Sequence, residues 1–475
     1  MARSRCRSGK GSERLTLARE LVRALHRAAQ QPLPADVARA ATLHFIDALG
    51  VGLAAAGSPV GAAYRDAGRQ LANGGPATAF GMPTGAAAAD AALVNGGLMH
   101  SLEFDDTHTA SIMHGSSVIA AAALASAEAG GATGAALLGA YVRGWEVIAR
   151  FGLAAPGRFH AQGFQATSAA GTLAAALVAA DLARLTEDQS VAALGIALSQ
   201  SCGVMEFLSN GSSVKSLHSG WAAHAGVLAV MLARAGITGP ETSLEGRWGL
   251  FRQFADDDTA AERMRAHIAD LGRKWHLPDA AFKFYPCCHY LHPFIEAAGM
   301  LADRGVRAAD VKAIICEVPA GAAPVICEPW ERALEPATGH AARWSLPIAV
   351  AARLAEGKVD LATFEQPASP AVRDLAKRIR WVPLENARFP ERFEAVITCD
   401  TLSGVSQSVR IDDVDGNHTR PPAAARVMEK FRANAARALA PGAVDALAQA
   451  MQGLVLAPDL KALSRALRQV GPSTG

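Results

Sequence analysis

The sequence predicts a mainly α-helical protein, a large all-helical domain with a smaller α+β domain inserted into it. Three observations predict it. Segments rich in Ala, Leu, Val and Gly run from about residue 15 to residue 270, punctuated by Gly and Pro. Near Arg273 the texture changes to short alternating segments. From Pro422 the helical pattern returns. The expected division is therefore a flexible tail over residues 1–14, a helical domain made of residues 15–270 plus 422–475, and an α+β domain over residues 271–421.

Taken in order, the first fourteen residues are basic and poor in apolar side chains, with no apolar stretch of the secretory kind. Residues 35–53, 117–128, 133–151, 169–182 and 220–235 read as buried or half-buried helices whose small residues favour close packing. The longest apolar runs, such as residues 118–127, are too short to cross a bilayer. Beyond Arg273, residues 311–318 alternate as a strand does. Residues 392–401 and 405–412 read as a hairpin around Ser403-Gly404. Helices are expected at 293–304 and 345–354, then at 423–440 and 443–455. The late return to helix predicts that the C-terminal segment packs back on the first domain.

Composition narrows the function. Half of the 475 residues are hydrophobic and 19% are charged, which excludes a disordered chain, a collagen-like fibre and a disulfide-rich mini-protein. Lys and Arg number 46 against 44 Asp and Glu, so no bulk charge drives the chain to nucleic acid or an anionic membrane. Seven Cys are scattered with no zinc-type spacing, which suits a reducing cytoplasm.

Four polar clusters interrupt the apolar chain. The first is Glu103-Phe104-Asp105-Asp106-Thr107-His108, followed by His114-Gly115-Ser116-Ser117. A carboxylate beside a histidine orients it as a general base. The same residue types allow a metal set of Asp105, Asp106, His108 and His114, or a polar loop that caps the next helix. The second, Gly163-Phe164-Gln165-Ala166-Thr167-Ser168, precedes an Ala-rich helix whose N–H groups can hold a carboxylate or simply be capped. The third, Gly211 to His218, sets Lys215 and His218 three apart, on one helical face. Lys215 there suits a substrate carboxylate, a base role or an internal ion pair. The fourth, Lys283-Phe284-Tyr285-Pro286-Cys287-Cys288-His289-Tyr290-Leu291-His292, holds two Cys, three potential bases and two Tyr near the domain boundary. Spacing alone does not choose between a nucleophilic Cys and a buried one. Together the clusters suit proton abstraction beside a carboxylate.

In these clusters the chain resembles the MmgE/PrpD family, which includes 2-methylcitrate dehydratase, cis-aconitate decarboxylase and iminodisuccinate epimerase. The resemblance starts at Asp47-Ala48-Leu49-Gly50 and continues through Asn95-Gly96, the acidic motif and His114. It runs on through Gly163-Phe164 with Thr167, Lys215-Ser216-Leu217-His218, Gly236-Ile237-Thr238-Gly239-Pro240 and Leu244-Glu245-Gly246. It ends with residues 283–292, Trp344-Ser345-Leu346-Pro347 and Lys430-Phe431-Arg432. It implies a cofactor-independent homodimer, with no metal, whose site lies between the domains and takes a small polycarboxylate. The expected partners include neither nucleic acid nor membrane.

Carried over by motif, Glu103, Thr107, His114, Lys215 and Lys283 are the implied catalytic residues. Asp105, Asp106, His108, Gln165, His218, Cys288, His289 and Ile348 are the implied substrate-binding ones. Three positions depart from the family: Glu103 stands where Asp is usual, Gln165 where a His is usual, and Ile348 where a Tyr is frequent. The last two count against decarboxylation of cis-aconitate. The activity implied is a hydro-lyase of a hydroxy di- or tricarboxylate of the 2-methylcitrate type. The alternatives are a dicarboxylate epimerase or isomerase, or a non-catalytic binding relative.

Overall fold

The computed structural model describes residues 14–209 and 212–469. The expected tail therefore lies, except for Arg14, outside the described residues, as does Gly211 of the third cluster.

The N-terminal part is a stack of helices. Those that frame the site are α1 (Ala35–Ala56), α2 (Ala88–His100), α3 (Gly115–Gly130), α4 (Gly134–Ala154), α5 (Ala166–Leu182) and α6 (Val214–Arg234). Their small residues let the backbones touch. At the crossing of α2 and α6, a Cβ on Gly96 would lie 2.9 Å from the Gly220 Cα, and one on Gly220 would lie 2.3 Å from the Leu93 carbonyl oxygen. Glycine is required at both positions, and the close crossing brings the C-terminal end of α2 beside the first turns of α6. Helix α6 starts at Val214, six residues before the expected 220. Its first turns carry Lys215 and His218 rather than an apolar stripe, so hydrophobic periodicity does not mark them.

The second unit holds a four-stranded sheet of β1 (Val311–Pro319), β2 (Ile379–Leu384), β3 (Ala395–Thr401) and β4 (Ser406–Ile411), in the order β2-β1-β3-β4. The hairpin at Ser403-Gly404 joins β3 to β4 antiparallel, with Ile397 opposite Val409. Strand β2 was not expected. It runs parallel to β1 on the edge of the sheet, which tolerates Pro383, and that proline masks the strand in the sequence. Helices α7 (His292–Asp303) and α8 (Leu346–Glu356) complete the layer: α7 packs on β3, β4 and α8.

Two hydrophobic cores result. One gathers buried residues from Leu17 to Ala280 with Leu361 and with Phe431 to Leu467; the other gathers residues from Cys287 to Ile411. The C-terminal helices α9 (Ala424–Ala435) and α10 (Pro441–Gln452) thus contribute to the first core, and α9 lies on α1. At that contact the Lys430 ammonium donates to Asp47 at 2.9 Å and to the Phe104 carbonyl at 3.0 Å, all three groups being buried. The two ends of the chain therefore hold the acidic loop jointly. Among the described residues, α1 is long and apolar enough to cross a membrane, contrary to the expectation that no segment is. In this fold 72% of its most apolar window is buried inside the protein, and it carries His44 and Asp47 inward.

Candidate active site

A cavity of about 370 Å³ opens between the two units, within the size range of small-ligand pockets. Three helices of the first unit aim their N-termini at it. His114 is the N-cap of α3, Gln165 is the N-cap of α5, and Lys215 lies in the first turn of α6; all three line the cavity. None of these ends is capped by the side chain of its own N-cap residue. The N-terminus of α3 is capped by Asp106, so the dipoles of α5 and α6 are what make this wall attractive to an anion.

The acidic loop supplies the floor. Thr107 pairs with Ala281 through two backbone hydrogen bonds of 3.1 and 2.8 Å, which brings Lys283 against Glu103. Glu103 adopts a left-handed backbone conformation (φ 52°), a strained state for a non-glycine residue. That turn puts its carboxylate between two ammoniums. Lys215 bonds Glu103 directly, while Lys283 lies 3.8 Å from the carboxylate and donates to the Glu103 carbonyl at 3.2 Å. Burial alone would push the Glu103 carboxyl up; Lys215 first and then Lys283 overcome it and hold the group well below the usual range. The Lys215 ammonium also lies 5.6 Å from the Trp344 ring centroid.

Behind this floor runs a chain of hydrogen bonds. His218 Nδ1 is 2.7 Å from Gln165 Oε1, Gln165 Nε2 is 3.1 Å from His100 Nε2, and His100 Nδ1 is 2.8 Å from Asp105 Oδ2. The same Asp105 oxygen lies 3.4 Å from His114 Nδ1. A carboxylate only accepts, so the protons of His100 and His114 sit on Nδ1. The Gln165 amide then donates to the lone pair of His100 Nε2, and its oxygen accepts from His218. The imidazole and amide groups along the chain are matched, the buried Asp105 Oδ1 has no hydrogen-bond partner, and His114 keeps a free lone pair on Nε2. Burial pushes His114 down to about 4, although Asp105 pulls it up, so the imidazole is neutral at pH 7. Burial opposes ionisation of Asp105 too, but His100 and His114 hold it well below the usual range. A neutral imidazole oriented by a buried carboxylate is the arrangement a general base needs.

The structure brings together Glu103, Thr107, His114, Gln165, Lys215, Lys283, Cys288 and His289 on the cavity wall. Thr167 of the second cluster also lines it and accepts the His114 N–H at 3.0 Å. Burial pushes the Cys288 thiol up to about 11, so it is no thiolate nucleophile. His289 packs its ring on His292 and Phe393, with both ring nitrogens unpartnered.

Five expected substrate contacts need correction, because their side chains do not line the cavity. Asp105 and His218 stand one layer behind it in the hydrogen-bonded chain. Asp106 turns away to accept from His44 Nδ1 at 2.7 Å and from the Ser116 N–H at 3.2 Å, so it caps α3. His108 bonds Ser111 at 2.8 Å and lies near His276, and burial pushes it down to about 3. Ile348, in the first turn of α8, belongs to the second core. Asp105, Asp106, His108 and His114 therefore do not converge on one metal.

Sequence reasoning missed His100, His160 and Trp344 as parts of the site. His100 stands three residues before Glu103, and that proximity to the acidic motif was its signal. His160 lines the cavity from a short helix with no motif around it.

The models of the MmgE/PrpD N-terminal and C-terminal domains match residues 19–263 and 285–454. The chain is similar to the human cis-aconitate decarboxylase, 29% identical over 401 residues, covering 81% of this chain and 79% of that protein. The mouse cis-aconitate decarboxylase is 28% identical over 451 residues, covering 90% and 88% respectively. With the cis-aconitate decarboxylase of Aspergillus terreus, 28% identical over 285 residues, the match covers 58% of each chain.

Proposed function

Because the chain belongs to the MmgE/PrpD family, and because its cavity gathers a base and two ammoniums, we propose that it is a lyase that removes water from a small hydroxy di- or tricarboxylate of the 2-methylcitrate type. The observation that carries the reading is one juxtaposition. His114, neutral and tied to Asp105, stands in the same cavity as Lys215 and Lys283, which share Glu103.

In this reading a substrate carboxylate docks on the two ammoniums and the N-termini of α5 and α6. The ammoniums stabilise the negative charge that spreads into that carboxylate when the adjacent C–H bond breaks, which is where most of the rate gain is expected. His114 Nε2 takes the proton. The electron pair of the C–H bond forms the double bond, and the hydroxyl leaves as water with a proton from a lysine ammonium. The His114 proton then restores that ammonium. The scheme draws on no cofactor and no metal.

The relatives named cis-aconitate decarboxylases suggest loss of carbon dioxide as the other outcome. That reaction ends by delivering a proton to carbon. A lysine ammonium could deliver it, but the neutral His114 held by Asp105 is set to take a proton, which elimination of water uses and decarboxylation does not, so elimination fits these residues better.

The test is proton NMR of the pure protein in deuterated water with 2-methylcitrate, citrate, cis-aconitate and both stereochemical series of iminodisuccinate. New vinyl signals identify the lyase and its substrate together. Loss of an α-proton signal with no new skeleton identifies an epimerase instead. No turnover and no binding across the panel would overturn the reading.

A further inference from the structure

The cavity has two unlike ends. One carries Lys215, Lys283, Glu103 and His114. The other is built around Tyr290, Phe389 and Phe393, while Trp344 lies beside Lys215. Among the described residues no Arg and no further Lys lines the cavity. His160, which also lines the cavity, is pushed down to about 4 by burial and carries no charge at neutral pH.

The aromatic end is a fixed wall. Tyr290 meets Phe389 and Phe393 edge-on, with ring centroids 4.9 and 5.1 Å apart, and Phe389 stacks on Phe393 at 5.7 Å. Phe393 in turn meets His289 at 4.9 Å, which ties the wall to the catalytic segment. Phe389 lies over Gly321, where any Cβ would come within 2.7 Å of the ring, so the backbone there is shaped to receive it.

Charge sets the limit on the acid end. Two ammoniums face one carboxylate in the wall and a second, Asp105, directly behind it. Two ammoniums against two carboxylates leave no net positive charge, so a substrate relies on the ammonium protons not taken by Glu103 and on the N-termini of α5 and α6, enough for one or two carboxylates. A third carboxylate pressed against Phe389 and Phe393 would lose its water and meet no cation in return, only the Tyr290 hydroxyl and the uncharged His289 ring.

We propose that the substrate carries an apolar arm where a tricarboxylate carries its third carboxylate: a 2-hydroxy dicarboxylate bearing an alkyl or aryl substituent, its acid groups on Lys215 and Lys283 and its arm on the Tyr290–Phe389–Phe393 wall. The proposal rests on the lyase reading above and narrows its substrate.

Kinetics with two sets of acids test it. One set is malate with methyl, ethyl, propyl and benzyl groups at C2; the other is citrate, 2-methylcitrate and cis-aconitate. The wild-type kcat/KM is expected to rise about fourfold for each added methylene. The best substituted malate is expected to exceed every tricarboxylate by at least tenfold. Phe389→Ala, at a half-exposed position that folding tolerates, is expected to flatten the rise, chiefly through KM. A series flat in the wild type, or a preference for tricarboxylates, overturns the proposal and leaves the lyase reading standing. Neither turnover nor calorimetric binding of any acid in either set overturns both.

Discussion

Asp105 and Asp106 are neighbours in the chain, and each accepts a hydrogen bond from a histidine Nδ1, at 2.8 Å from His100 and 2.7 Å from His44. Both are fully buried. Beyond that their surroundings diverge. Asp105 faces the second imidazole, His114, which lines the cavity. Asp106 faces the start of α3, where Ser116, Tyr141 and Trp145 close a network with no path to the cavity. His44 itself is stacked at 3.9 Å on Phe282. The same dyad of acid and imidazole thus serves chemistry on one side of the loop and packing on the other. What separates them is access to a space that a substrate can enter, and composition cannot show that.

Four substitutions and conditions sharpen the comparison. Lys215→Ala removes the charge nearest the substrate and leaves the buried Glu103 with Lys283 alone; kcat/KM per folded molecule is expected to fall about a thousandfold, with a lowered thermal midpoint but no loss of the fold. Asp105→Asn disturbs the His114 tautomer, and kcat is expected to fall about a hundredfold. Asp105 raises the His114 pKa, so its loss also moves the acidic limb of the kcat/KM profile below its wild-type position near pH 4. Asp106→Asn is expected to do the opposite, costing about 2 kcal/mol of stability in denaturant melts while kcat per folded molecule stays within threefold.

The last effect is on stability against pH. His114 and His108 have folded pKa values of about 4 and about 3, below the unfolded value of 6.5. Above pH 6.5 both states are neutral and nothing is lost. As the pH falls from 6.5 toward 4, the unfolded state takes up protons that the folded state refuses. Stability should then decline by roughly a kcal/mol per pH unit for each histidine. A melting temperature flat over that window would contradict the buried neutral assignment.

Much of this was legible in the sequence because the responsible signals are local. Alanine-rich apolar runs marked α1, α3, α4 and α5, and the Ser403-Gly404 turn marked the β3–β4 hairpin. The wall residues Glu103, His114, Lys215 and Lys283 announced themselves as polar groups in apolar surroundings, and their place in a family-like series pointed to a common site. What was hidden depends on direction and on distance along the chain. Nothing local says that Asp106 and His108 point away while Glu103 and Asp105 serve the cavity, since the loop turns at Glu103 through a strained left-handed residue. His100 belongs to a helix that reads as core, and the Gly96–Gly220 crossing that brings it near His218 joins residues more than a hundred positions apart. Ile348 sits beside a family-like motif, yet helix α8 buries it in the second core.

The most direct test of the account is exchange of the substrate α-proton for solvent deuterium, followed by proton NMR at pH 7 at equal folded concentrations of wild type, Asp105→Asn and Asp106→Asn. The account predicts exchange within threefold of wild type for Asp106→Asn and about a hundredfold slower for Asp105→Asn. Unchanged exchange in Asp105→Asn, or its loss in folded Asp106→Asn, would contradict the assignment of His114 and Asp105 as the proton-abstracting pair.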